Sequence, residues 1–244
     1  MSRLFVDEPL TAPGSELSLP PGAARHVQVL RLQPGDSVTL FDGRGQDWSA
    51  EVLAMGRSEV RVRLGEPQAV ARELPIAVTL AVVMPANDRM DGIVEKATEL
   101  GTFALQPLMS ERSVLRLSGD RAEKKRQHWR GVAIAAAEQC GRACVPAIGE
   151  VQSLASWLAS LDATADQPQR RWLLSPTAAE PIAQRAAEAG RETLVLSGPE
   201  GGLSSAEEAA ARERGFAALK LGPRILRADT APLAVLGWLA LQSA

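Results

Sequence analysis

The sequence predicts an α/β protein with a small all-β domain in front of it. Three observations carry this reading. Residues 1–66 hold only short alternating or β-branched runs separated by Gly, Pro and Asp, the pattern of short strands and tight turns. From Ile76 onward, apolar runs of strand length alternate with helical patterns, as in a mainly parallel sheet covered by helices. Residues 193–236 then place two strand–glycine loop–helix units in succession. Two such units put two loops at one carboxyl edge of a parallel sheet, where α/β sheets bind ligands.

In the front domain the expected strands are Leu4 to Val6, Ser37 to Phe41, Trp48 to Leu53 and Glu59 to Leu64. Val60, Val62 and Leu64 alternate with Arg61 and Arg63, the period of a half-buried strand. Pro34-Gly35-Asp36 and Asp42-Gly43-Arg44-Gly45 are turn signals, and Gly22 to Leu32 reads as a short helix carrying Arg25, His26 and Arg31. A small barrel is the natural closure for such strands. Residues 65–75, with two prolines and mixed charge, read as a linker, which sets domains of 1–70 and 75–244.

In the second domain Ile76 to Met84 is a near-continuous apolar strand, as expected when both sheet faces are covered. Asp88 to Leu100 is a helix stopped by Gly101, and Phe103 to Leu108 is the next strand. Asp120 to Arg142 is a long helix, basic in its first half and apolar with small residues in its second. Ala163 to Gln169 reads as a polar loop, Arg171 to Ser175 as a strand and Glu180 to Ala189 as a helix.

Thr193 to Ser197 is a buried strand, and Gly198-Pro199-Glu200-Gly201-Gly202 turns the chain sharply after it. Ser204-Ser205-Ala206-Glu207 is a capping box that starts a helix. Ala217 to Leu221 is a strand, Gly222 to Arg227 a loop, and a last helix starts near Thr230 with Pro232 in its first turn.

The 244 residues are 45% hydrophobic and 23% charged, with a net charge of −2. This is the balance of a soluble globular chain, so an anionic partner must be met by local patches. Residues 110–142 supply one, with eight Lys or Arg against four acids. Cys140 and Cys144 are the only cysteines, which argues against a metal centre or a disulfide framework and for a reducing, cytoplasmic setting. No apolar run reaches membrane-spanning length, and no signal sequence is expected at the N-terminus. There is no Gly-x-Gly-x-x-Gly after a strand, which disfavours a Rossmann-type cofactor site.

Read together, EKATELG (95–101), SERSV (110–114), AAAEQCGR (135–142), SGPEGGLSSAE (197–207) and LGPRILRADTA (221–231), supported by HVQVLRLQPGD (26–36), resemble the 16S ribosomal RNA (uracil-N3)-methyltransferases of the RsmE family in the SPOUT superfamily. The resemblance covers nearly the whole chain. It implies an N-terminal PUA-like RNA-binding β-barrel and a C-terminal trefoil-knotted α/β SPOUT methyltransferase domain. It also implies a homodimer, S-adenosylmethionine as cofactor, and 16S ribosomal RNA or the small ribosomal subunit as substrate. A transfer-RNA methyltransferase of the same superfamily and a non-catalytic ribosome-assembly factor are the alternatives. The front barrel and the EQCGR segment favour ribosomal RNA by resemblance, and the intact glycine loops favour catalysis.

Carried onto this chain, the cofactor pocket is expected from Leu173 and Leu174, from Leu196, Ser197, Gly198, Pro199, Glu200 and Gly201, and from Leu221, Gly222, Ile225, Leu226 and Arg227. Adenine is expected on main-chain groups around Leu221 and Ile225 to Arg227, with Leu173, Leu196 and Leu226 as apolar walls. Where the family usually reads Leu-Arg-Thr-Glu-Thr-Ala, this chain has Leu226-Arg227-Ala228-Asp229-Thr230-Ala231, so the acid is one methylene shorter. The expected catalytic residues are Arg227, as a donor to the uracil oxygens, and Asp229, then Glu200, as base. RNA is expected on Arg3, Arg25, His26, Arg31, Arg112, Lys124, Lys125 and Arg142.

Overall fold

A computed structural model describes residues 2–56, 59–86, 89–162, 169–178, 180–185 and 192–242. The chain forms two compact units: residues 1–73 with 134–145, and residues 74–133 with 146–244.

The first unit is built on β1 (Arg3–Phe5), β2 (Glu16–Ser18), helix α1 (Pro21–Val29), β3 (Ser37–Phe41), β4 (Gln46–Met55) and β5 (Val60–Ala69). The five strands form one sheet in the order β1-β3-β4-β5-β2. Register shifts between Trp48 and Ala50 and between Val52 and Ala54 bend β4, as bulges do. Val60, Val62 and Leu64 of β5 point inward with Val38, Leu40, Trp48 and Val52. Pro21 opens α1, and Ala23, Ala24 and Val27 put one stripe of it into the same core. Strand β5 runs on to Ala69, so pairing with β4 occupies the front half of the stretch expected as a linker.

The segment 134–145 completes this unit. Arg142 is 4% exposed and its guanidinium bonds both carboxylate oxygens of Glu73. Arg72 Nη1 donates to the Gly141 carbonyl at 2.6 Å, and Phe5 N donates to Glu138 Oε1 at 2.9 Å. Arg3 stacks 4.8 Å over the Phe41 ring and donates to Asp47 and to the Arg142 carbonyl. Burial, helped by nearby Glu73, pushes the Cys144 thiol above its usual pKa.

The second unit runs β6 (Ala77–Val83), α2 (Arg89–Glu99), β7 (Ala104–Met109), α3 (Gly119–Cys140), β8 (Ala147–Ile148), β9 (Gln152–Ser153) and α4 (Leu154–Ser160). It continues with β10 (Gln169–Leu174), β11 (Glu180–Pro181), β12 (Glu192–Ser197), α5 (Ser205–Glu213), β13 (Ala217–Lys220) and α6 (Thr230–Gln242). The last turns of α3 are those counted with the first unit. The strand order is β11-β13-β10-β12-β6-β7-β8, with β9 also beside β7, and every pair is parallel.

Period-2 alternation splits this sheet's side chains between two cores. Ala81, Val83, Leu173, Leu194, Leu196 and Ala218 pack with Leu154, Trp157 and Leu158 of α4 and with Ala211 of α5. On the other face Trp172 of β10 meets Trp238 of α6 at 6.3 Å between ring centroids. Helix α6 packs against β6, β12 and α2. Helix α4, capped by Ser153, is an element the sequence reading passed over. The stretch expected as a helix over 180–189 starts instead as a two-residue strand and one 3-10 turn over Ile182–Arg185. Its remainder, like residues 163–168 of the expected polar loop, lies outside the described residues.

The Arg142–Glu73 pair yields a stability prediction. Removing one partner of a buried pair strands the other charge, and Glu73 keeps 33% of its side chain in water. Arg142→Ala is therefore expected to cost about 2 kcal/mol of unfolding free energy. Denaturant unfolding checks this; a loss under about 0.5 kcal/mol, the range of an ordinary surface substitution, contradicts it.

Candidate active site

Pairing register places the site. Ser197 at the end of β12 stands beside Leu174 of β10 and beside Val82 of β6, and Leu174 stands beside Leu219 of β13. These strand ends lie level, so the loops that follow them open at one edge of the sheet. A cavity of about 440 Å³ lies there, in the size range of small-molecule sites.

Its walls include Leu174, Ser197, Gly198, Pro199, Glu200, Leu221, Ile225, Leu226 and Arg227, so both expected loops meet in one place. Four expected cofactor residues stand apart from the lining. Leu173 and Leu196 alternate onto the α4 face and are fully buried in that core, so they back the strands rather than form walls. Gly201 turns its carbonyl to Arg112, and Gly222 supplies a turn at φ +83°. Asp229 is also off the lining; its carboxylate accepts a 3.4 Å bond from the Thr230 hydroxyl.

The cavity recruits residues the sequence reading did not single out: Arg89, Ser175, Pro176, Gly202, Leu203, Glu208, Leu219, Arg224, Ala228 and Ala231. The signal that locates several of them is simple. Ser175 and Pro176 follow β10, and Arg89 opens α2 after β6, and these are neighbours of β12 at the same carboxyl edge.

The first loop is held by specific bonds. Glu200 Oε1 accepts from Ala86 N at 3.0 Å and lies 3.5 Å from Arg89 Nη1. A Cβ on Gly198 would stand 3.2 Å from Leu203 N and Cγ, so a side chain there would crowd the loop. Ser204 caps α5 and Glu207 answers to Ser204 N at 2.9 Å, the reciprocal capping box. Glu207 also accepts from Glu111 N at 2.8 Å, and Arg112 Nη1 donates to Gly201 O at 2.8 Å and Leu203 O at 3.3 Å. On the far wall the buried Ser175 hydroxyl donates to Glu208 Oε1 at 3.1 Å. The second loop is more open. Ile225 is 84% exposed, and Arg224 and Arg227 make no ion pair among the described residues.

The expected RNA residues differ in where the structure places them. Arg25, His26 and Arg31 are exposed on and just after α1, and Lys124 is exposed and Lys125 half-buried on α3. Arg3 and Arg142 are spent within the first unit on Asp47 and Glu73, and Arg112 on the glycine loop. No group of three or more His, Cys, Asp or Glu side chains is arranged to hold a metal ion among the described residues, and no described helix is long and apolar enough to cross a membrane.

Comparison with known proteins meets this geometry. A family model described as an RNA methyltransferase domain matches residues 72–240, and one described as an RNA methyltransferase PUA domain matches residues 19–65. Ribosomal RNA small subunit methyltransferase E of Bacillus subtilis is 32% identical over 223 residues, 89% of this chain and 86% of that protein. The Mycobacterium tuberculosis protein of the same name is 32% identical over 209 residues, 86% of this chain and 79% of its own. The crystal structure of ribosomal RNA small subunit methyltransferase E from Neisseria gonorrhoeae, bound to S-adenosylmethionine, superposes with a TM-score of 0.90 at 32% identity. That match covers 99% of this chain and 97% of the other. A Legionella pneumophila protein solved with the same cofactor gives a TM-score of 0.89 at 29% identity, over 98% of this chain and 96% of its own. With the family domain spanning every residue that lines the cleft, the chain belongs to the ribosomal RNA small subunit methyltransferase E family of RNA methyltransferases.

Proposed function

We propose that the protein transfers a methyl group from S-adenosylmethionine to N3 of an unpaired uridine in 16S ribosomal RNA. The observation that carries this is the cleft closed by two turned loops at the sheet edge. Its support is a set of relatives named as small subunit ribosomal RNA methyltransferases and a superposable structure that holds this cofactor. The residues present fit the cofactor. Leu174, Leu219, Leu221 and Leu226 offer apolar walls, and Glu200 and Glu208 bring carboxylates to a ligand that carries cationic sulfonium and ammonium groups. Main-chain groups from Leu221 to Arg227 suit an adenine edge.

When bound, S-adenosylmethionine supplies a methyl group on a sulfonium leaving group. The chain's task is alignment, since an in-line displacement gains most from holding both reactants in place. Loops 197–203 and 221–228 grip one reactant and leave the mouth, with Arg224 and Arg227, to the other. Uracil N3 carries a proton at neutral pH, and a base that removes it contributes roughly 10²–10⁴-fold. Asp229 takes this role in our reading; it stands next to cavity-lining Ala228, and its carboxylate accepts a long bond from the Thr230 hydroxyl. Glu200 is second, because Ala86 and Arg89 already engage it. Arg227 stabilises the charge that develops on the uracil oxygens.

RNA is held by Arg25, His26 and Arg31 on the PUA unit and by Lys124 and Lys125 on α3, through contacts that weaken with salt. Pairing hides N3, so the target base must be splayed out. We assign the enzyme to the cytoplasm as a homodimer, where its two free thiols and a ribosomal substrate belong. We assign the C-terminal unit the trefoil-knotted path that the family resemblance implies.

Two outcomes check the reading. Arg227→Ala is expected to lower the methylation rate about 10²–10³-fold, as loss of one oxyanion donor does, while the S-adenosylmethionine Kd moves less than threefold. An equal loss of both removes its catalytic role. N3 methylation blocks pairing, so primer extension on 16S ribosomal RNA is expected to stop at one uridine in the parent strain. The stop should vanish on deletion of the gene and return on complementation; an unchanged stop pattern contradicts the assignment.

A further inference from the structure

Arg112 sits in a basic stretch and reads from sequence as an RNA contact, yet its guanidinium points at the protein. The turn that carries it is closed by a hydrogen bond from Ser110 N to the Ser113 hydroxyl at 2.8 Å, and both serines are buried. From this turn Arg112 Nη1 reaches the carbonyls of Gly201 and Leu203. Next to it, Glu111 N donates to Glu207 Oε1, and Glu207 is the capping-box acid of α5. The aliphatic stem runs beside the loop: a Cβ added at Gly201 would stand 3.7 Å from Arg112 Cδ.

We propose that Arg112 is a positioning residue for the cofactor: it fixes the Gly198–Leu203 wall of the cleft in the shape that receives S-adenosylmethionine. The role deepens the proposed function and rests on that reading. Glycine gives this loop many backbone states. A charged donor bonded to two carbonyls of this loop selects one of them. Gly198, Pro199, Glu200, Gly202 and Leu203 line the cavity, so the bonds act on the wall itself while Arg112 stays off the lining. Glu200 anchors the same loop a second time, its Oε1 accepting from Ala86 N. The loop is thus pinned from β6 and from β7, the two strands that follow β12 in the sheet order.

The test is a split between the two substrates. Arg112→Ala is expected to raise the S-adenosylmethionine Kd, by calorimetry, and its KM about tenfold, equal to about 1.4 kcal/mol. The RNA KM and kcat at saturating cofactor are expected to stay within threefold, and Tm within about 2 °C. Arg112→Lys keeps one charged donor and is expected to recover part of the cofactor affinity without changing RNA binding. A raised RNA KM with an unchanged cofactor Kd overturns the proposal in favour of an RNA contact. Unchanged constants for both also overturn it, as does a cofactor loss matched by a large fall in Tm. Failure of the unaltered protein to bind S-adenosylmethionine sinks the proposed function itself, a result distinct from any of these.

Discussion

Level strand ends are the constraint on which the cleft depends. Val82, Ser197, Leu174 and Leu219 share one height because β6, β12, β10 and β13 pair in parallel register. Backbone groups in a sheet covered on both faces must pair with one another, so this register cannot slip by one residue without turning both cores inside out. Leu173, Leu196 and Ala218 on one face and Trp172, Val195 and Leu219 on the other lock it. The loops have no choice of edge. What remains open to sequence is their shape and their charge.

The arginines show how local chemistry, rather than charge count, decides a residue's part. Guanidinium groups carry five donors in a rigid fork and suit carboxylates and carbonyls as well as phosphates. Arg142 meets Glu73, Arg72 meets the Gly141 carbonyl and Arg3 meets Asp47 within the first unit. Arg112 meets two loop carbonyls and Arg89 meets Glu200. Arg224 and Arg227 line the cavity with no ion pair among the described residues.

Much of this was legible in the chain. The alternation in Val60, Val62 and Leu64 and the apolar run of β6 announced strands because period and composition are local properties. Ser204 and Glu207 announced α5 for the same reason, and the structure has their reciprocal bonds. Leu154, Trp157 and Leu158 had helical spacing after Ser153, so α4 carried a signal that went unread. Strand β2 is three residues long and is held by its register with β5, which no local pattern states. Which glycine-loop residues face inward was not legible either. Leu173 and Leu174 look alike in sequence, and only the pleat sends one to the core and the other to the cleft. The EQCGR segment matches a family motif, and what the motif does not state is that Glu138 and Arg142 tie it to Phe5 and Glu73.

The central claim is that the two turned loops enclose one cofactor. A crystal structure of this chain grown with S-adenosylmethionine tests it most directly. The account predicts the adenine against residues 221–227 and the sulfonium facing the mouth beside Arg227, with the loop over residues 198–203 closed upon it. Cofactor bound anywhere else, or a cleft that stays empty at saturating cofactor, would contradict it.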